Sequence, residues 1–193
     1  MAWLLLSAAL VAGGAPPAAR AQVHEVRLLI QPVPGQPIPE FYFEPVGLYI
    51  QPGDTVVFKA LSPHHTVTAY HPRQGKPQRV PDGVEPFSSP VLPVGGEWRY
   101  TFTVPGVYDI WCAPHEMYGM VMRIVVGSPA GPGTTPSKDF GPEGTFGVAG
   151  QVLNHPLLDP ARIVAQGSVS WSALPAEVKV MRQGPPGAPA QGH

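Results

Sequence analysis

The sequence predicts an all-β protein, an antiparallel Greek-key β-sandwich with a C-terminal extension. Three observations carry that reading. Short runs rich in Val, Ile, Thr, Tyr and Phe recur between residues 23 and 126, separated by Pro/Gly turns and without a helical period. The alternation is cleanest over residues 97–103, where Trp98, Tyr100 and Phe102 share one face of a strand. Of the 193 residues, 27 are proline and 22 glycine, many of them at the two ends and in one internal stretch, which suits one ordered domain with irregular extensions.

Residues 1–21 read as a secretory signal. The apolar run over residues 2–12 is too short to span a bilayer, and Ala19-Arg20-Ala21 is an A-x-A cleavage site, although a basic n-region is missing. Gly13-Gly14-Ala15-Pro16-Pro17 would end any helix there. The mature chain is therefore expected to be exported, periplasmic or extracellular, to begin at Gln22 and to contain no membrane span. No cysteine lies near the cleavage site to carry a lipid anchor.

Residues 23–30 form the first predicted strand, followed by a Pro-rich stretch over 31–39. Residues 41–50 and 55–61 read as strands joined by the turn Gln51-Pro52-Gly53-Asp54. Residues 66–70 have strand composition. The connection over 71–96 is too long for a hairpin and is expected to pack over one end of the sandwich. Val104-Pro105-Gly106 turns the chain into a strand over 107–112, and residues 121–126 are the last strand of the core. Beyond Gly127 the composition shifts. Residues 128–137 read as a linker. Asp159 as cap, Pro160 at the first helical position and Gly167 as stop predict a two-turn helix. Residues 169–171 and 178–181 read as short β runs. This tail is too small for its own core and is expected to pack on the sandwich. The predicted division is a signal over 1–21, a domain over 22–127, an extension over 128–183 and a disordered tail over 184–193.

A formal net charge of −1 implies neither nucleic acid nor an anionic membrane as partner. Charged residues make up 13% of the chain, about half the usual share of ~25%, which suits close approach to a redox partner. The one cysteine cannot form an internal disulfide, and outside the cell a bare exposed thiol would oxidise. A metal-bound thiolate escapes that fate.

Cys112, His115 and Met120 stand at Cys-x2-His-x4-Met spacing on a loop between two β runs. A thiolate, an imidazole and a thioether so close together suit a soft metal, and two histidines, a cysteine and a weak axial methionine form the blue-copper set. The second histidine must come from an earlier strand. His64 and His65 are adjacent, so in a strand they face opposite ways and cannot both reach one metal unless the backbone bends between them. Glu116 could offer an oxygen but reads as solvated. His24, His71 and His155 read as surface residues and His193 lies at the terminus. With no His-x-His pair for a second copper site, an oxidase or reductase reading is disfavoured and the chain is read as not an enzyme.

Residues from about 41 to 127 resemble the cupredoxins, the blue copper proteins of the plastocyanin and halocyanin type. The resemblance rests on Gln51-Pro52-Gly53-Asp54-Thr55-Val56-Val57-Phe58, on His65-Thr66-Val67-Thr68, and on Cys112-Ala113-Pro114-His115 through Gly119-Met120. It implies a cupredoxin-like sandwich holding one type 1 copper, with His65, Cys112, His115 and Met120 as ligands. The family's His-Thr-Val segment points to His65, while Pro63 before His64 matches the proline that plastocyanins carry before that ligand. Trp111 departs from the tyrosine found in plastocyanins.

The implied activity is a monomeric carrier of single electrons between redox partner proteins, docking near His115, Met117 and Tyr118. Its rival is a copper storage or delivery protein on the same fold. Thr66 is a candidate to hydrogen-bond the sulfur or an imidazole.

Overall fold

A computed structural model of the chain describes residues 20–137 and 147–179. Residues 1–19 of the predicted 1–21 signal, and the predicted tail at 184–193, lie outside the described residues. Among the described residues nine strands form two packed sheets, in the orders β2-β1-β4-β6 and β5-β7-β8-β3-β9. In the first, β1 (Val23–Gln31) pairs antiparallel with β2 (Glu40–Glu44) and parallel with β4 (Thr55–Ala60), which pairs antiparallel with β6 (Glu97–Thr101). In the second, β5 (Thr68–Ala69), β7 (Gly106–Trp111) and β8 (Val121–Val126) run antiparallel. There β3 (Gly47–Ile50) lies parallel to β8 and antiparallel to β9 (Ser168–Val169).

The predicted sandwich is present, with mixed rather than purely antiparallel sheets. Both parallel pairings, β1 with β4 and β3 with β8, join strands that no tight turn connects, so local turn signals could not reveal them. The run read as one strand over 41–50 is two. Pro45 lacks the N–H that a continuous ladder needs, and after it the chain passes from one sheet to the other. The turn at 51–54 likewise carries the chain between sheets, so β3 and β4 are not a hairpin.

Between the sheets lies one apolar cluster that includes Val26, Leu28, Phe58, Phe102, Ile110 and Ile124, together with Cys112 and Met120. Trp98, Tyr100 and Phe102 do share a face. Phe87 packs on Tyr100 with ring centroids 4.1 Å apart. Phe87 comes from the long 71–96 connection, part of which runs along the strand-like segment ending in β5. Ala69 N–H donates to Phe87 O (3.0 Å), Ser89 N–H to Val67 O (3.0 Å) and Leu92 N–H to His65 O (2.7 Å). The connection thereby supplies the partners that an edge strand as short as β5 would otherwise lack.

The tail is built onto the outer face of the second sheet. Helix α1 (Gly147–Leu153) has little local signal, because two glycines lower its intrinsic propensity. It forms because Val148, Ala149, Val152 and Leu153 bury against Tyr70, Val121 and Val125. Helix α2 (Pro160–Gln166) has the predicted signals: Asp159 Oδ1 accepts from Ala161 and Arg162 N–H, Pro160 opens it and Gly167 closes it. Trp171 stacks on Tyr42 at 5.2 Å, and its Nε1–H donates to Glu40 (2.7 Å). The short β run read at 178–181 is instead a 3-10 turn over 176–178 that opens after Pro175, residues 180–181 lying outside the described residues. The stretch read as a linker at 128–137 lies against β7, where Ala130 O accepts Val107 N–H at 2.9 Å.

One buried ionic group fastens these parts together. Asp109 on β7 accepts from Arg79 Nε (2.6 Å) and from Arg123 Nε (2.8 Å) and Nη2 (3.0 Å). The excess positive charge is spread over carbonyls: Arg79 donates to Thr135 O and Gly133 O, and Arg123 to Leu158 O. Removing the carboxylate would leave two uncompensated buried guanidinium groups, a loss of about 3–5 kcal/mol. Asp109→Ala is therefore expected to lower the urea midpoint sharply, as followed by circular dichroism. The same substitution at exposed Glu85, whose pairing with Arg73 is solvated, should leave the midpoint within error.

Candidate metal centre

The hairpin β7–β8 closes directly across the site, pairing Trp111 with Val121. Just inside that pair, Cys112 N–H donates to Met120 O (3.0 Å), so thiol and thioether leave from facing positions. Between them the loop winds on itself. His115 N–H donates to Cys112 O (3.0 Å), a 3-10 turn spans Glu116–Tyr118, and Met120 N–H returns to His115 O (3.2 Å). Gly119 ends that turn at φ +87°, a left-handed conformation that glycine adopts without penalty.

The second histidine arrives from the segment before β5. His64 takes φ +63° and is exposed, whereas His65 is wholly buried. The backbone does bend between the two, and only His65 turns inward. Its Nδ1 lies 3.7 Å from Cys112 Sγ, and its Nε2 meets Ser62 Oγ at 2.8 Å. Use of the Nδ1 lone pair by a metal would leave the ring proton on Nε2, where Ser62 Oγ stands ready to accept it. His115 Nδ1 lies 3.4 Å from the same sulfur. Met120 is fully buried beside them.

Thr66 serves the sulfur through its backbone, its N–H donating to Cys112 Sγ at 3.3 Å. Its hydroxyl accepts Ala113 N–H at 2.7 Å and ties the first residue of the ligand loop to the same segment. His115 is half-buried, packing on Phe41 with ring centroids 4.5 Å apart, and Phe41 stacks on Tyr118 at 4.7 Å.

Glu116 overturns its solvated reading. It is 1% exposed; Oε1 accepts Tyr70 O–H at 2.6 Å, and Oε2 pairs with Lys76 Nζ. Lys76 Nζ also stands 4.4 Å from the centre of the Trp111 ring. Burial, and then the Glu116 carboxylate, push the Tyr70 phenol well above its ordinary value, so it remains a proton donor to Glu116. One buried cluster thus touches the residue before Cys112 and the residue after His115. Three other histidines have partners of their own: His24 meets Asp54 at 2.9 Å, while His71 and His155 accept backbone N–H groups at the starts of 3-10 turns.

Electrostatics prepare the set for a cation. Burial, and then the nearby His115 and His64, lower His65 from 6.5 to about 4. Burial and then His64 also lower His115. Both rings are therefore neutral at pH 7, each with a lone pair available. Burial raises the Cys112 thiol to about 11 against the pull of the Thr66 N–H, so a cation at the site is needed to make it a thiolate. The donor atoms of His65, Cys112 and His115 lie within 4.8 Å of one another. An ion held at roughly 2.0–2.3 Å from nitrogen and sulfur requires donor separations of that order. Soft sulfur with two imidazoles fits copper.

The sequence model of the copper binding proteins, plastocyanin/azurin family, matches residues 35–127. Pseudoazurin of Paracoccus pantotrophus is 34% identical over 121 residues, which cover 63% of this chain and 73% of that protein. The chloroplastic plastocyanin of Hordeum vulgare is 34% identical over 90 residues, or 44% of this chain and 54% of that protein. A pseudoazurin crystal structure from Methylobacterium extorquens AM1 aligns with a TM-score of 0.47 at 25% identity, covering 75% of this chain and 95% of that one. This chain belongs to the plastocyanin/azurin family of copper-binding proteins. It is a cupredoxin, a blue copper protein of electron transport, with copper as its cofactor.

Ser62, Phe41 and Lys76 escaped the sequence reading. Only Ser62 had a usable signal, as a hydroxyl three residues before a candidate ligand; the others approach from distant segments.

The imidazoles give the metal-free cupredoxin a defined acid sensitivity. Between the folded value of about 4 and the unfolded 6.5, the unfolded chain binds more protons at His65. Stability is therefore complete above about pH 6.5 and falls as pH drops toward 4, by on the order of 3 kcal/mol from His65. His115 acts in the same direction. Urea midpoints of the metal-free protein across this window are expected to fall with pH, and His65→Ala should flatten the dependence.

Proposed function

We propose that this cupredoxin is an exported carrier of single electrons, with one type 1 copper held by His65, Cys112, His115 and the axial Met120. The observation that carries the reading is the convergence of two neutral imidazoles on one buried cysteine sulfur. Copper bound there supplies the Cu(II)/Cu(I) couple, Cu(II) preferring nitrogen and a flatter geometry and Cu(I) preferring sulfur and low coordination. The chain's own part is to hold donors that suit both states in a fixed frame. Thr66 N–H and Ser62 orient the sulfur and the His65 ring, the β7–β8 pairing fixes Cys112 and Met120, and the sandwich excludes water from all but the His115 edge.

Export follows from the signal reading of residues 1–21. Cleavage after Ala21 spares every strand, since β1 starts at Val23. It also leaves Gln22 N at 2.7 Å from the buried Asp54 carboxylate. We read residues 22–127 as the redox domain, 128–183 as an extension of it, and the working unit as a monomer. Intact-mass analysis of the exported protein should give a chain that starts at Gln22, and retention of residues 1–21 would refute export by this route.

Electrons are proposed to pass at His115 to redox partner proteins. Exposed Ala113 and Pro114 and half-buried Met117 and Tyr118 surround it, a weakly charged rim suited to a small transient interface of under about 1,200 Å². Met117→Lys is expected to leave the copper spectrum unchanged and to slow electron exchange with the partner. Equal rates would remove this surface from consideration.

The ligand set is tested by optical and EPR spectra with a redox titration. One copper per chain and an intense visible band are expected; Cys112→Ser should lose that band and keep the fold. His65→Ala should abolish or distort the site, and His64→Ala should leave it intact. Met120→Leu should retain copper and raise the potential, because a donor favouring Cu(II) is gone. Binding of Cu(I) alone, without a coloured oxidised form, would favour copper delivery over electron transfer.

A further inference from the structure

We propose that helix α1 is a clamp on the ligand loop, and that Val148 is a positioning residue for Met120. The proposal rests on the ligand reading above and assigns a role to the C-terminal extension. A Cβ placed on Gly119 would lie 2.5 Å from Val148 Cγ1 and 3.3 Å from Val148 Cβ. A side chain of the extension is therefore packed directly onto the ligand-loop main chain, one residue before Met120. Val148 is 4% exposed and belongs to the apolar cluster that contains Val121, the residue after Met120. Trp111, the residue before Cys112, packs against that same cluster.

The clamp is tied within the extension and to the sandwich. Within the extension Asn154, just after α1, accepts Ser137 N–H (2.6 Å) and donates to Ser137 O (2.8 Å). Farther along, Leu158 O accepts from Arg123, and the Glu44 carboxylate accepts Trp171 N–H at 2.9 Å. The loop cannot easily push this helix away. The loop also has a separate polar anchor, since Glu116 is bound to Tyr70 and Lys76. Val148 acts where that anchor does not, at the glycine whose φ of +87° sets the return of the chain into Met120.

Shortening Val148 opens space behind Gly119 and lets the loop carry the thioether away from the metal. An axial donor that favours the oxidised state is then weakened, and the reduced state gains. Val148→Thr keeps the shape of valine and loses its apolar burial, so it separates positioning from stability.

The test uses the full-length copper-loaded protein and reads thermal midpoint, EPR spectrum and reduction potential. Val148→Ala is expected to raise the reduced-to-oxidised ratio several-fold at a fixed poise and to alter the EPR spectrum. Val148→Thr should lower the midpoint yet keep the wild-type potential and spectrum. Gly119→Ala alone should shift the potential, and in the double variant with Val148→Ala the two shifts should not add. Unchanged potential and spectrum in Val148→Ala would overturn the clamp. If that variant does not load copper, an unchanged potential in Gly119→Ala would overturn it instead. Absence of the intense visible band in the wild type would be a failure of the ligand reading, a distinct result.

Discussion

The pairing of Trp111 with Val121 is the constraint on which the site depends. It brings β7 and β8 together where both strands are fully or largely buried, so the hairpin cannot slip without exposing a face of the core. Because that register is held, Cys112 and Met120 sit opposite each other and the seven residues between them must close as a loop. The loop satisfies its own backbone through bonds from His115, Tyr118, Gly119 and Met120, leaving little freedom for the donor side chains. Everything else at the centre is brought to this hairpin: His65 by the segment before β5, Phe41 by β2, and Val148 by the extension.

A chain with so few charges places several of the ones it has inside. Asp109 joins two arginines from different segments, and each arginine reaches on to carbonyls of the later chain. Glu116 joins the ligand loop to Tyr70 and Lys76. Pairs such as these add little net stability over apolar packing, yet breaking one is severe, which makes them selective for one arrangement of loops. Here both clusters lie on β7 or the loop that follows it. Stiffness is thereby concentrated at the strand that leads into Cys112.

At neutral pH the donor set is uncharged before a cation arrives. Two imidazoles are held neutral and a thiol is held protonated, all by burial. A soft cation would find two free lone pairs and displace one proton from the thiol, and any preference of the ion for this folded set over the unfolded chain would add to stability. The same burial that disfavours charge keeps water away from the sulfur, and the half-exposed His115 is left as the polar edge nearest the surface.

By itself the sequence determined what depends on neighbours a few residues apart. Cys112, His115 and Met120 on one loop, the alternating face of β6, and the Asp159-Pro160 start and Gly167 end of α2 were all legible in spacing alone. Only the tertiary structure decided what depends on distant segments. His65 turns inward because His64 takes a left-handed φ, a bend that strand alternation does not announce. Glu116 is buried because Tyr70, 46 residues away, comes to meet it. The parallel pairings, the break at Pro45 and the glycine-bearing α1 likewise exist because another part of the chain supplies the bonds or covers the apolar face. Local backbone and side-chain preferences leave a periodic trace in a sequence. A contact across 127 residues, such as Glu44 with Trp171, leaves none, since its partners become neighbours only once the sandwich has formed.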